Sequence, residues 1–381
     1  MMKIEQLVEK YNDFYVPTFA VRVNRQDLVR ELFLTVTSAE VDLQEKAAGR
    51  FTFTVANAFD WELRAFISTR NDEQLNLIEF FAFGSEVEIS MGYGDVGKLP
   101  VLLRGIITEI STSFNAGGTP ELTVSGFDKL HLLTVGKQSR NWQDRRDSDA
   151  ARDLVQPIGL KTNITPTSPV KQRIDKGQET PLAFLQKLAD RNDFIFFIQD
   201  DTFHFVPKKE DTEEADIELL WGGGLLSFSP EANLAAQIGS VEVRGVSAER
   251  GEVITGRAAA GEERGDSPRT TSGSEQVRKL PTDSSITIRA SVRTQEEADR
   301  LAQAILEGQT RDYIKGNGES IGIPEIRLNR NIQLLGLGQP FSTVYCIRSA
   351  KHSISSSGYK TTWTAEKGEA PEPEGSRRSR R

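Results

Sequence analysis

One cysteine, Cys346, in 381 residues excludes an internal disulfide framework and a multi-cysteine metal site. Histidine is nearly as scarce. His131, His204 and His352 lie far apart, without the few-residue spacing of metal-binding pairs, so no metal is expected. Long apolar runs are missing too: stretches such as Phe194-Ile195-Phe196-Phe197-Ile198 reach about five residues, whereas a membrane-spanning helix needs roughly 20, and no membrane span is expected. No cationic, apolar leader opens the sequence, because Met1-Met2-Lys3 runs straight into amphipathic Ile4-Glu5-Gln6-Leu7. The expectation is a protein made in a reducing cytoplasm. Positive charge is in deficit. The 47 Lys and Arg against 55 Asp and Glu give a net charge of −8, and a surface of that sign repels nucleic acid. The local exception, Arg377-Arg378-Ser379-Arg380-Arg381, reads as a solvated tail or as a contact for an anionic surface.

The patterns of catalysis are absent as well. There is no Gly-x-Ser-x-Gly elbow and no His-Glu-x-x-His. Trp221-Gly222-Gly223-Gly224-Leu225 lacks the Gly-Lys-Ser/Thr ending of a phosphate cradle and reads as a loop or β-bend. Gly92-Tyr93-Gly94-Asp95 reads as a hairpin turn, and Cys346, between Tyr345 and Ile347, as an inert strand thiol. With 55 carboxylates, accidental acid pairs are guaranteed, so none stands out as an acid and nucleophile. Arg264-Gly265-Asp266 is a tripeptide that chance supplies readily. No cofactor is expected.

What is present is a succession of short strands. Val21 to Asn24, Leu32 to Val36 and Phe51 to Val55 alternate in β-branched and aromatic residues, as do Ser85 to Ile89, Leu102 to Ile110 and Glu121 to Val124. Turn residues such as Asn115-Ala116-Gly117-Gly118 divide them. Such a series predicts an antiparallel barrel or sandwich. After Leu133 the pattern changes. Thr180-Pro181 is a helix start, a capping hydroxyl followed by proline at the first helical position. Leu182, Leu185, Leu188 and Ala189 give the stripe of that helix, and Phe194 to Ile198, Asp200-Asp201 and Phe203 to Val206 give a tight hairpin. Ile238 to Val246 and Ile286 to Val292 read as strands, and Thr294 to Glu297 as a capping box opening a helix.

Several stretches, taken in order, resemble the phage late control protein D family, the baseplate hub proteins of contractile tails. They are Phe83 to Asp95, Leu103 to Ile110, Pro120 to His131, Phe184 to Phe194, and Gly336 to Ser342 with Tyr345, His352 and Gly358 to Thr361. The resemblance covers roughly residues 15–366, and it extends to the hub part of valine-glycine repeat spike proteins. It implies a mainly β fold with α+β insertions: two tail-tube-like antiparallel β-barrel domains and a small α+β middle domain. It further implies a homotrimeric, non-enzymatic ring that adapts a hexameric inner tube to a trimeric spike. The implied partners are further copies of itself, a separate spike protein, the inner tail-tube protein and other baseplate subunits, within a phage tail, tailocin or extracellular contractile injection system assembled in a bacterial cytoplasm. Two other readings stand beside it: a tail-associated cell-wall hydrolase, and a sugar- or receptor-binding tail module using aromatics such as Trp61 or Trp142.

The expected organisation is an N-terminal docking helix (1–13), a first barrel (14–136), the α+β region (137–225), and strands with a mobile loop at 255–278 and a helix at 294–309 (226–310). A C-terminal barrel part (311–366) and a disordered tail (367–381) complete it. Ile4, Leu7, Val8 and Tyr11 recur at helical spacing and form the candidate interface stripe. That stripe docks either on a neighbouring protein or on the helix's own domain.

Overall fold

Alternation of side chains along the strands sets the architecture. In Arg50–Ala56 the side chains of Phe51, Phe53 and Val55 point inward and are buried, as pleating requires of every second residue. A computed structural model describes residues 1–11, 14–70, 73–209, 214–246, 252–262, 270–281 and 283–371. Strand outweighs helix, 48% against 19%, so the protein is mainly β, as expected.

A 13-stranded sheet runs through the molecule. Its N-terminal half passes from Gln26–Asp27 through Pro17–Val23, Glu86–Tyr93, Val101–Ser113, Glu121–Asp128 and Arg50–Ala56 to Thr35–Gln44. There it joins Val344–Ser355 and continues through Asn331–Leu335, Ile217–Trp221, Gly224–Ala232 and Ile314–Ile321 to Gly358–Lys367. Gly358–Lys367 pairs back with Val344–Ser355, which closes a six-stranded barrel. Each half has its own apolar core. Phe51, Phe53, Phe81, Ile89 and Met91 fill the N-terminal one. Tyr345, Trp363, Ile332, Leu334 and Leu219 fill the barrel.

The α+β region sits between them in sequence, with its own core around Trp142, Phe184, Phe196 and Phe205. Its helix Pro181–Asp190 starts as the sequence predicts, with Thr180 Oγ1 accepting from the Ala183 N–H at 3.2 Å. The hairpin Phe194–Gln199 to Thr202–Pro207 turns through Asp200 and Asp201, whose φ values of 49° and 58° give the twist-matched two-residue turn. A fourth core forms where helix Gln295–Arg311 covers the sheet of Val253–Ala259, Ser240–Val246 and Ser285–Arg289.

Three expectations need correction. Within 255–278, strand Val253–Ala259, strand Thr270–Ser272 and helix Gly273–Arg278 replace the mobile loop. Small residues there serve packing rather than freedom: a Cβ on Gly256 would lie 2.1 Å from the Ala298 carbonyl carbon, so glycine lets the strand run directly against the helix. Residues 263–269, including Arg264-Gly265-Asp266, lie outside the described residues. Strand Glu369–Pro371 pairs with Thr270–Ser272, so the expected tail is ordered that far, and the Arg-rich end lies outside the described residues. Finally, Ile217–Trp221 and Gly224–Ala232, which the sequence places in the α+β region and the segment after it, are barrel strands, because the closure of that barrel needs them.

Candidate assembly surfaces

Helix Ile4–Lys10 forms on the predicted stripe and is held at its start by the Lys3 N–H donating to Gln6 Oε1 at 3.1 Å. The stripe faces the chain's own barrel. Leu7 and Tyr11 are buried in the barrel core, and half-buried Ile4 packs against it, while Val8 is half-buried. Tyr11 O–H donates to Glu325 Oε1 at 2.5 Å, and Lys10 pairs with the same carboxylate. Burial first, then Glu325, pushes the Tyr11 phenol well above its ordinary range. Ahead of the helix, Met2 bridges to the barrel through Met2 N–H to Asp216 O at 2.7 Å and Glu218 N–H to Met2 O at 3.0 Å. Of the two readings of the stripe, the structure therefore shows packing on the helix's own domain, and Leu7 and Tyr11 are not free to meet a neighbour.

The seam between the two sheet halves is the centre of the molecule. Thr35–Gln44 and Val344–Ser355 run antiparallel with registers from Gln44 opposite Ser349 to Ala39 opposite Ile354. His352 lies fully buried there. Its Nε2 lies 3.0 Å from Ile326 O, which can only accept, so Nε2 carries the proton and Nδ1 accepts from Tyr359 O–H at 2.9 Å. Burial, reinforced by the positive charge of Arg327, holds the imidazole neutral with its pKa down at about 3.

Beside the seam lies a buried ionic network that ties four parts of the chain together. Arg348 meets Glu366 at 2.5 Å within the barrel and Glu45 at 3.4 Å, just beyond the Thr35–Gln44 strand. Lys208, at the end of the α+β hairpin, approaches both carboxylates at 3.6 and 3.7 Å. Arg311, closing helix Gln295–Arg311, pairs with Asp193 and lies 3.7 Å from Glu307. Burial alone would raise the Glu366 carboxyl, but Arg348, Lys208 and Arg311 hold it at about 2. A second buried carboxylate, Asp147, is held by Arg191, by Lys171 at 3.1 Å and by Asn192 at 2.8 Å. These residues gave no signal in the sequence, since partners such as Glu45 and Arg348 are some 300 positions apart.

Apolar patches are exposed among the described residues, two of them aromatic. In one, the Phe59 ring stands edge-on to Trp61, Phe66 and Phe114 at 5.1, 5.1 and 5.6 Å. Trp61 and Phe114 are 64% and 66% exposed, too open for core residues. The other consists of Leu220, Trp221 and Leu226 at the strand ends around Gly222. Trp142, a sugar-stacking candidate by sequence, is instead a core residue. It is stacked on Phe184 at 5.8 Å, and its Nε1–H donates to Asp153 at 3.0 Å. Cys346 is buried, and no group of three or more metal-ligating side chains occurs among the described residues.

A closed barrel fused along one seam to a second curled sheet, with a small α+β unit between, is the fold of phage tail proteins. The prophage MuSo2 43 kDa tail protein from Shewanella oneidensis shares it at a TM-score of 0.67 and 14% identity, over 92% of this chain and 98% of that one. A tail protein from Neisseria meningitidis MC58 does so at 0.67 and 14%, over 93% and 97%. The E. coli c3393 protein, a type VI secretion component described as structurally similar to the T4 tail proteins gp27 and gp5, matches at 0.56 and 12%, over 91% and 76%. At such identities the likeness speaks for the fold. By sequence, residues 68–356 match the family described as the Alg8 N-terminal domain, and the chain belongs to that family. No curated protein matches it.

Proposed function

We propose that the chain is a structural baseplate hub, a homotrimeric ring that adapts a hexameric inner tube to a trimeric spike within a contractile tail or injection particle. The observation that carries this reading is the continuous sheet: one polypeptide sets two comparable β units side by side, so three copies place six units around a threefold axis. The fold it shares with tail proteins supports the same reading. In this proposal residues 14–136 supply one unit, the barrel strands from 217 onward the other, and the α+β region an insertion. The ring is assembled in the bacterial cytoplasm and binds tube, spike and other baseplate subunits. The chain works by rigidity and complementary surfaces, without catalysis.

Native mass spectrometry of the purified chain, alone and with its spike, tests the ring. Three copies of a 42.3 kDa chain give about 127 kDa. That mass, in either condition, is the expected result. A monomer in both, or a dimer, overturns the hub. Exposed Trp61 is the observation behind the alternative of a sugar- or receptor-binding module, and glycan binding lost in Trp61→Ser would favour it.

A further inference from the structure

One cavity of this acidic molecule is a cationic cleft. Its volume is about 610 Å³, and it lies between the N-terminal half of the sheet and the α+β region. That size falls in the ~300–1,000 Å³ range of ligand clefts. One wall is a cross-strand row in which Arg22 stands opposite Glu88, and Glu88 opposite Arg104. Arg22 and Arg104 grip the Glu88 carboxylate at 2.6 and 2.8 Å, and Arg104 reaches Asp201 of the facing hairpin turn at 2.5 Å. Burial pushes Glu88 up, yet these two arginines outweigh it and keep the carboxyl ionised below its ordinary value. The acids of this row are therefore already satisfied.

Three further cations line the cleft without an ion-pair partner among the described residues: Arg25, Lys129 and Lys161. Against them stands one unpaired acid, Glu86. Arg25 occupies the two-residue turn after Pro17–Val23 with φ of 70°, a conformation that favours glycine, and it is nonetheless an arginine set at the cleft. The cleft thus holds five cations and three acids in a chain whose net charge is −8.

We propose that this cleft binds an acidic segment of a partner polypeptide. The cations are spread over separate elements, which suits several carboxylates in a row better than one compact anion. An extended acidic segment sets successive carboxylates against Arg25, Lys129 and Lys161 in turn, whereas free phosphate presents one compact charge. The bulk negative charge repels acidic partners everywhere else, so the cleft also sets their orientation on approach. The inference stands on the cleft alone and does not depend on a threefold ring.

The test uses the full-length chain and a fluorescein-labelled octaglutamate peptide, read by fluorescence anisotropy at low salt. Expected are saturable binding, weakening with added salt, and at least a tenfold loss of affinity in the double variant Arg25→Glu, Lys161→Glu. Neither side chain holds an ion pair, and circular dichroism checks that the variant folds. The single variant Lys161→Gln, expected to lose about threefold, serves if it does not. Absence of binding to the unmodified chain overturns the proposal, as does equal binding by the variants. Displacement of the peptide by inorganic phosphate at equal concentration assigns the cleft to free anions and overturns the polypeptide as occupant.

Discussion

The two halves of the large sheet deal with their edges in different ways. The C-terminal half closes on itself, because Val344–Ser355 pairs both with Asn331–Leu335 and with Gly358–Lys367. A closed barrel leaves no edge to protect. The N-terminal half does not close by strand pairing among the described residues. Its last strand, Thr35–Gln44, is completed by borrowing Val344–Ser355 from the barrel. Dependence therefore runs both ways across the seam: without the barrel Thr35–Gln44 exposes a strand edge, and without the N-terminal half Ser349–Ile354 of the shared strand do, because Asn331–Leu335 pairs only with Val344–Cys346. The buried charges sit where this dependence is greatest, with Arg348 contributed by the shared strand and Glu45 by the chain beyond the borrowing strand.

That mutual dependence can be broken at the seam. Arg348→Ala leaves buried Glu366 with Lys208 and Arg311 as its remaining cations and half-buried Glu45 with Lys208, and removing one partner of a buried pair costs about 3–5 kcal/mol. Urea unfolding should show a loss of that size, and limited proteolysis should cut within residues 14–136 before the barrel. A loss under about 1 kcal/mol would show that the network adds no stability at the seam.

A smaller effect sharpens the comparison through pH. In the unfolded chain His352 takes up a proton near its ordinary value of 6.5, whereas the folded, buried imidazole refuses one until about 3. The unfolded state then binds more protons, so this residue's contribution is full above about 6.5 and falls as pH drops through that window. His352→Gln should flatten the decline in urea midpoint between neutral and acid pH relative to the unmodified protein. Parallel curves would mean that the imidazole titrates alike in both states. The smallest stability effect belongs to the exposed patch: Trp61→Ser should shift stability by less than about 0.5 kcal/mol. If the patch joins copies in the proposed ring, native mass spectrometry would show the same substitution lowering the ring's population.

Legibility in the sequence tracked the range of the forces involved. Strands such as Arg50–Ala56 and Glu121–Asp128 declare themselves through a two-residue period, and helix Pro181–Asp190 through its Thr-Pro start, because those signals lie within a few residues. The stripe of Ile4, Leu7, Val8 and Tyr11 announces an amphipathic helix, but periodicity does not say what covers the apolar face; the barrel does. Residues 255–259 look like a loop in the sequence because Gly256 and Ala258 have loop composition until a helix is laid against them. The ionic network was invisible for a different reason. Among 55 carboxylates and 47 cations, only the fold selects which of them meet.

The shared strand also has a mechanical meaning. Hydrogen bonds of an antiparallel ladder stand across the strand direction. A pull along Val344–Ser355 therefore loads the registers from Gln44–Ser349 to Ala39–Ile354 together, in shear, instead of peeling them apart one by one. With Arg348 clamped between Glu45 and Glu366 at one end of that ladder, a load carried along this strand meets hydrogen bonds and ion pairs together.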